Sequence, residues 1–320
     1  TLGGTSKVYP YSQVLAATTS GGSGTGAVTY AISSGGSATG CTLSNTSASA
    51  TLTASTSGTC LIVATKASDG NYNSISSAAA TFTFTLGTQS LTIAAGSSTL
   101  AYYGTTTITP SGYSGTGTIT YTPSSGCSIS GTTLTATASS GTCTLTASIA
   151  ADSNYSSATS NTLTITRTTA LLTITSTTSS ASKSYGASNP TFSFTPSGLK
   201  NSETISSITN TFTGTGSYNS TTPPSNVGTY TITPSLAVFS TGSASNYAIT
   251  YATGTLTITA SVPGAPTSVS ATSNANAQSV VTWTAPASTG GSSITDYIIE
   301  YSSDSGSTWT TFSDGTSTTA

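Results

Sequence analysis

Histidine and methionine are absent from this 320-residue chain, and charge nearly so: five Lys and Arg and seven Asp and Glu make up 4% of it. An ordinary soluble domain carries about 25%. Each shortage excludes something. Without histidine, serine has no ordinary base partner for nucleophilic catalysis. The five basic residues, Lys7, Lys66, Arg167, Lys183 and Lys200, are scattered along the chain. No stripe exists to neutralise phosphates, so nucleic acid is not a partner. No apolar run approaches the ~20 residues of a membrane helix. The chain shows no signal peptide, and its opening at Thr1 without an initiating methionine reads as a mature or trimmed product, or a piece of something longer. Low charge with abundant Ser, Thr and Gly resembles a low-complexity tract. Hydrophobic content of 34% and a net charge of only −2 argue for a folded chain, because disorder combines low hydrophobicity with high net charge.

What is present is repetition. SGTGAVTY at 23–30 returns as SGTGTITY at 114–121, GCTLS at 40–44 as GCSIS at 126–130, and KASDGNYNS at 66–74 as IAADSNYSS at 149–157. The order is kept while the offset falls from 91 to 86 to 83, so one plan is used twice with shorter loops the second time. These two units are placed at 1–87 and 88–168. A third, at 169–260, echoes them through SKSYG at 182–186, SNYAIT at 245–250 and a closing GTLTIT, but has no cysteine. SVPGAPTS at 261–268 reads as a linker. The segment 261–320 holds both tryptophans and four of the seven acids, Asp296, Glu300, Asp304 and Asp314.

TFTFT at 81–85, TLTITRT at 162–168, LLTIT at 171–175 and TLTIT at 255–259 alternate strictly between an apolar residue and a threonine or its like. That is the period of a half-buried strand, with branched Thr suited to the outer face. Gly, Ser, Asn and Pro interrupt these runs at short intervals, and no 3.6-residue pattern is present. The fold expected is all-β: tandem β-sandwiches in an extended rod.

Four cysteines remain, two of them in the tetrapeptide SGTC at 57–60 and 140–143. Cys143, Leu145, Ala147 and Ile149 share one face of a strand, and Cys127 shares a face with Ile129. Inward cysteines on neighbouring strands suit one disulfide per unit, Cys41 with Cys60 and Cys127 with Cys143; the alternative is two buried thiols in each. Two cysteines and no histidine cannot make a four-ligand metal site, and no cofactor is expected. Disulfides imply an oxidising compartment.

The GTGxxTY run, the GC…SGTC pair, the DxNY turns and the terminal GTLTIT strand resemble the Ig-like and MBG-type β-repeats of large bacterial surface proteins and adhesins, over residues 1–260. GAPTSVSAT at 264–272, QSVVTWTAP at 278–286 with Trp283 as core residue, and ITDYIIEYSSDSGSTWTTF at 294–312 resemble part of a fibronectin type III module. Such a sandwich needs about 100 residues, and the closing strands are not in this sequence. The first unit also lacks an opening strand like SLTI at 90–93. Either the sequence is a window on a longer protein or a neighbouring copy supplies strands by donor-strand addition.

The resemblance implies a non-enzymatic structural or adhesive segment of an extracellular, cell-surface fibre or filament. Its partners would be copies of itself or neighbouring repeats, and glycans. The alternative is a carbohydrate-binding or spacer appendage of a large secreted enzyme or phage fibre. Asp69 and Asp152, at equivalent positions, read as Asx-turn residues, with a DxN calcium site as the sharper alternative. A Lys–Asn crosslink would require Lys7 or Lys66 beside an Asn. Tyr30 with Tyr121, and Tyr72 with Tyr155, recur at framework positions, which favours packing. Trp309 is the candidate for ligand stacking. Leu61 and Val63, alternating against inward Cys60 and Ile62, are candidate lateral contacts, since sheet edges here carry almost none of the charges that usually guard them. Asn45, Asn154 and Asn219 stand in N-x-[ST] sequons.

Overall fold

The computed structural model describes residues 2–20, 23–176, 180–274 and 278–316. Among them the regular structure is β-strand, with 3-10 turns only at Thr215–Ser217 and Ala244–Asn246. The chain divides into two compact units, Thr1–Thr168 and Thr169–Ala320.

The first unit opens with β1 Ser6–Val8, β2 Ser12–Val14, β3 Val28–Ser33, β4 Thr42–Leu43, β5 Thr51–Thr53, β6 Gly58–Lys66, β7 Ile75–Ser76 and β8 Ala80–Thr85. They form an Ig-like sandwich of two sheets, ordered β1-β8-β6-β3 with β7 also on β6, and β2-β5-β4. A second sandwich follows: β9 Thr92–Ala95, β10 Thr99–Ala101, β11 Thr105–Ser111, β12 Ile119–Pro123, β13 Cys127–Ser130, β14 Thr133–Ala136, β15 Thr142–Ile149, β16 Ala158–Thr159 and β17 Leu163–Thr168. Its sheets run β10-β17-β15-β12, with β16 on β15, and β13-β14-β11-β9. Strand for strand it repeats the first, with β9 added. In both, a short strand joins the last one in parallel, β1 on β8 and β10 on β17: Ser6 faces Thr83 and Thr99 faces Thr166.

The alternating sequence places the core. Along β6, Cys60, Ile62 and Ala64 are buried; along β15, Cys143, Leu145, Ala147 and Ile149. Leu134, Leu145, Ile149 and Ile165 are fully enclosed in the second sandwich, each contributing about 1.5–3 kcal/mol by burial. Cys41 is joined to Cys60 and Cys127 to Cys143, with Cα atoms 6.1 Å apart in each pair. Each bridge ties one sheet to the other, since β13 and β15 lie in different sheets and Cys41 directly precedes β4.

Residues 169–320 begin with a third sandwich: β18 Ala170–Ser176, β19 Ala181–Ser184, β20 Phe194–Ser197, β21 Thr204–Gly214, β22 Tyr218–Ser220, β23 Gly228–Thr241, β24 Tyr247–Ala252 and β25 Gly254–Thr259. The sheets are β20-β18-β24 and β19-β25-β23-β21-β22. Phe212, Tyr230, Ile232, Leu256 and Ile258 form a core cluster that needs no cystine. Last come β26 Thr267–Asn274, paired with β27 Gln278–Thr284, and β28 Ile299–Tyr301, paired with β29 Thr310–Phe312.

Candidate functional site

The repeated motifs GTG and DxNY meet in space. Asp152 Oδ1 accepts from the backbone N–H of Asn154 and of Tyr155, both at 2.8 Å, and its Oδ2 accepts from Thr116 N at 2.6 Å and Thr116 Oγ1 at 3.3 Å. Asp69 does the same: Oδ1 accepts from Asn71 N at 2.9 Å and Tyr72 N at 3.0 Å, and Oδ2 from Thr25 N and Oγ1. One carboxylate thus shapes its own turn and clasps the facing loop. The glycines of the motif permit the approach: a Cβ at Gly26 or Gly117 would overlap the carbonyl oxygen of Ala67 or Ala150. Hydrogen bonds from Asn71 N, then Thr25 N, hold the Asp69 carboxyl at a pKa of about 2. Asp152 is likewise lowered, first by Asn154 N and then Thr116 N, because hydrogen bonds to the ionised form favour it. These oxygens face N–H donors, the geometry of an Asx turn. Among the described residues no three His, Cys, Asp or Glu side chains cluster as a metal site would require.

The Asp152 loop has a second use, as the joint between the first two sandwiches. Gly87 N donates to Asn154 O at 2.7 Å, Ser156 N returns a bond to Gly87 O at 2.9 Å, and Ser57 N donates to Ser153 O at 2.9 Å. The Tyr155 ring meets Tyr9 edge-on, 5.1 Å between centroids. A Cβ on Gly87 would lie 3.2 Å from the Tyr155 ring and 3.3 Å from Tyr9 O, so a larger residue there would press on the contact. Asn154, one of the sequon residues, is half-buried at this joint.

The other sequence candidates fall as follows. Leu61 and Val63 point outward but are half-buried, with Leu61 opposite Ser33 and Thr81 and Val63 opposite Ala31. Lys66 Nζ donates to Gly26 O at 2.8 Å, and Lys7 is exposed. Tyr30 is buried and its hydroxyl accepts from Ala17 N at 2.9 Å. Tyr121 is half-buried. Tyr72 is 49% exposed, unlike its counterpart Tyr155. Asn45 Oδ1 accepts from Ser47 N, and Asn219 is an exposed residue of β22. Trp309 is 61% exposed and lines an open cavity of about 910 Å³ shared with Trp283 and Tyr297. Trp283 and Tyr297 pack edge to face, 5.0 Å between centroids.

Three polar features were missed by motif reading. Arg167 donates to Gly126 O at 3.2 Å and Thr142 O at 3.1 Å, securing the turn after Pro123 and the start of β15. Glu203 is buried in the third sandwich, and Tyr247 donates to its carboxylate at 2.6 Å. Gly87 is the pivot of the joint. The parallel recurrence of Asn-Tyr in all three units was the available signal for Tyr247 and Tyr155; nothing local marked Arg167.

Residues 172–257 match the model of the MBG domain (YGX type), and Tyr185-Gly186 lies within them. No curated protein sequence matches the chain. Among solved structures, a C-terminal 282-residue fragment of intimin, in complex with the intimin-binding domain of its translocated receptor, is similar at 21% identity. That match covers 47% of this chain and 55% of the fragment, with a TM-score of 0.20. The protocadherin gammaB7 EC3-6 cis-dimer is similar at 9% identity over 82% of this chain and 71% of that one, TM-score 0.24. SGBP-B of Bacteroides ovatus, in complex with a mixed-linkage heptasaccharide, is similar at 16% identity over 84% and 70%, TM-score 0.18. This chain thus spans little more than half of the intimin fragment, and likenesses at these scores carry no argument about binding.

Proposed function

We propose that this chain is a non-catalytic structural or adhesive segment of an extracellular bacterial surface fibre, built from docked β-sandwich repeats. One observation carries the proposal: the same loop that closes the second sandwich is hydrogen-bonded to the end of the first, so the repeat is made to be joined. Histidine is missing, and both repeat aspartates are saturated by N–H donors. One cystine in each of the first two sandwiches supports an oxidising, extracellular setting. The match of 172–257 to the MBG domain supports membership of the third sandwich in that class of repeat.

The outward Leu61 and Val63 are the proposed lateral contacts between copies. Light scattering and negative-stain microscopy of the oxidised chain test this: the wild type should associate with rising concentration, and the Leu61→Ser/Val63→Ser pair should not. A wild type that stays monomeric at every concentration, or a variant that assembles equally, counts against lateral assembly. A second function is favoured by the exposed Trp309 beside its cavity: a carbohydrate-binding or spacer appendage of a large secreted enzyme or phage fibre, with 261–320 as a fibronectin type III-like module. Glycan-array binding that disappears in Trp309→Ala would select it.

A further inference from the structure

The first two sandwiches differ at the strand that opens the second, and the registers locate the difference. Gln13 faces Leu52 as Thr106 faces Leu134, so β2 corresponds to β11, with Leu15 at the place of Ile108 and Ala17 at that of Pro110. The bonds Leu15 N to Ala50 O and Ile108 N to Thr132 O agree. In the second sandwich Pro110 is the partner of Ile93 in β9. In the first, Ala17 forms an antiparallel bridge with Leu2. Leu2 therefore stands where Ile93 stands, and the positions of Leu91 and Gln89 fall two and four residues ahead of it.

In the second sandwich those two residues are held firmly. Leu91 is 3% exposed within the core that contains Ala147 and Ile149. Gln89 Nε2 donates to Ser156 O at 2.7 Å, and its Oε1 accepts from Gly115 N at 2.9 Å. Asn161 brackets the next residue of the strand, accepting from Ile93 N at 2.9 Å and donating to Ile93 O at 3.3 Å. In the first sandwich the corresponding residues line an open groove of about 590 Å³: Gly24 for Gly115, Ala64 for Ala147, Lys66 for Ile149, Asn73 for Ser156 and Ala78 for Asn161. Lys66 lines it too, with its ammonium turned to Gly26 O at 2.8 Å, which leaves its aliphatic stem for apolar contact. Beside the groove lies the Asp69 loop, closed by the same hydrogen bonds as the Asp152 loop that receives Gly87, and presenting the exposed Tyr72 where Tyr155 receives Tyr9.

We infer that this groove is the seat of one more extended strand, running in register into the backbone ahead of Leu2. It carries an apolar side chain two positions before Leu2 and an amide side chain four before, as Leu91 and Gln89 precede Ile93. The Asp69–Tyr72 loop is the landing for the sandwich that strand leaves. The occupant is continuous with this chain because Leu2 already fills the next place in the same strand. The inference extends the docked-repeat function proposed above, but rests on a different face from Leu61 and Val63, so the two can fail separately.

The test uses the full chain carrying Leu-Gly-Thr-Gln-Ser-Leu, the sequence of residues 86–91, joined ahead of Thr1, beside a version whose final added leucine is aspartate. Amide exchange at Gly24 should slow at least about tenfold with the leucine extension. The first sandwich should melt at least about 5 °C higher. The aspartate extension should do neither. Equal behaviour of the two extensions, or no protection from either, overturns the inference. The free hexapeptide added to the unextended chain should protect Gly24 far less than the joined one; equal protection would assign the groove to a separate chain and overturn the continuity claimed here.

Discussion

Replacing Cys127 and Cys143 by alanine releases a loop closed over a sequence separation of 16 residues. The chain-entropy relation gives about 10 cal/mol/K for that loop, or about 3 kcal/mol at 25 °C. In a sandwich of this size, 1 kcal/mol moves the melting temperature by about 4–8 °C, so the second sandwich should melt about 12–24 °C lower. The Cys41→Ala/Cys60→Ala pair, with a separation of 19, should cost the same within about 0.2 kcal/mol, because loop length enters only as a logarithm. Differential scanning calorimetry of the full chain supplies its own reference, since the third sandwich contains no cysteine. A reductant should lower the transitions of residues 1–168 and leave that of the third sandwich in place. Two cystine variants differing by more than about 2 kcal/mol would show that packing of the sulfurs, not loop closure, dominates. A reductant that moves every transition equally, or none, would refute the reasoning.

Other outcomes follow from single contacts. Asp69 titrates at about 2 in the fold against about 3.9 unfolded; its contribution is complete above about pH 4 and is lost as pH falls through 2. Carboxyl-carbon NMR should place its midpoint near 2, and a midpoint near 4 would remove the clasp. Asn161→Ala unpins β9 by breaking both bonds to Ile93; the cost should be about 1–2 kcal/mol in urea unfolding. Tyr247→Phe takes away the hydroxyl that donates to buried Glu203 and accepts from Lys200 N. It should destabilise the third sandwich by about 1–3 kcal/mol and leave the cystine sandwiches unchanged by calorimetry.

The strands were legible because alternation is a local property: Thr at every second position of TLTIT fixes which face is outward before any partner is known. The doubled SGTC and GC motifs pointed to the cysteine pairs for the same reason, but to neighbouring strands, whereas each bridge crosses from one sheet to the other. What could not be read was tertiary. The clasp needs Asp152 and Thr116, 36 residues apart, to meet across two loops. The parallel pairing of β1 with β8 spans nearly a whole sandwich. Leu61 and Val63 alternate as outward residues, yet cross-strand neighbours half-cover them, an effect of register that the strand alone does not carry. Arg167 occupies the position that Phe84 holds in the first repeat, so the repeat that revealed the fold concealed the difference.

Hydrogen exchange at the Gly87, Ser57 and Ser156 amides tests the docked-repeat account most directly, because these donors form the joint between the first two sandwiches. In the oxidised full chain all three should exchange at least about a hundredfold more slowly than an open peptide. Exchange within about threefold of the open-peptide rate would mean that the sandwiches are merely tethered, and would contradict the account.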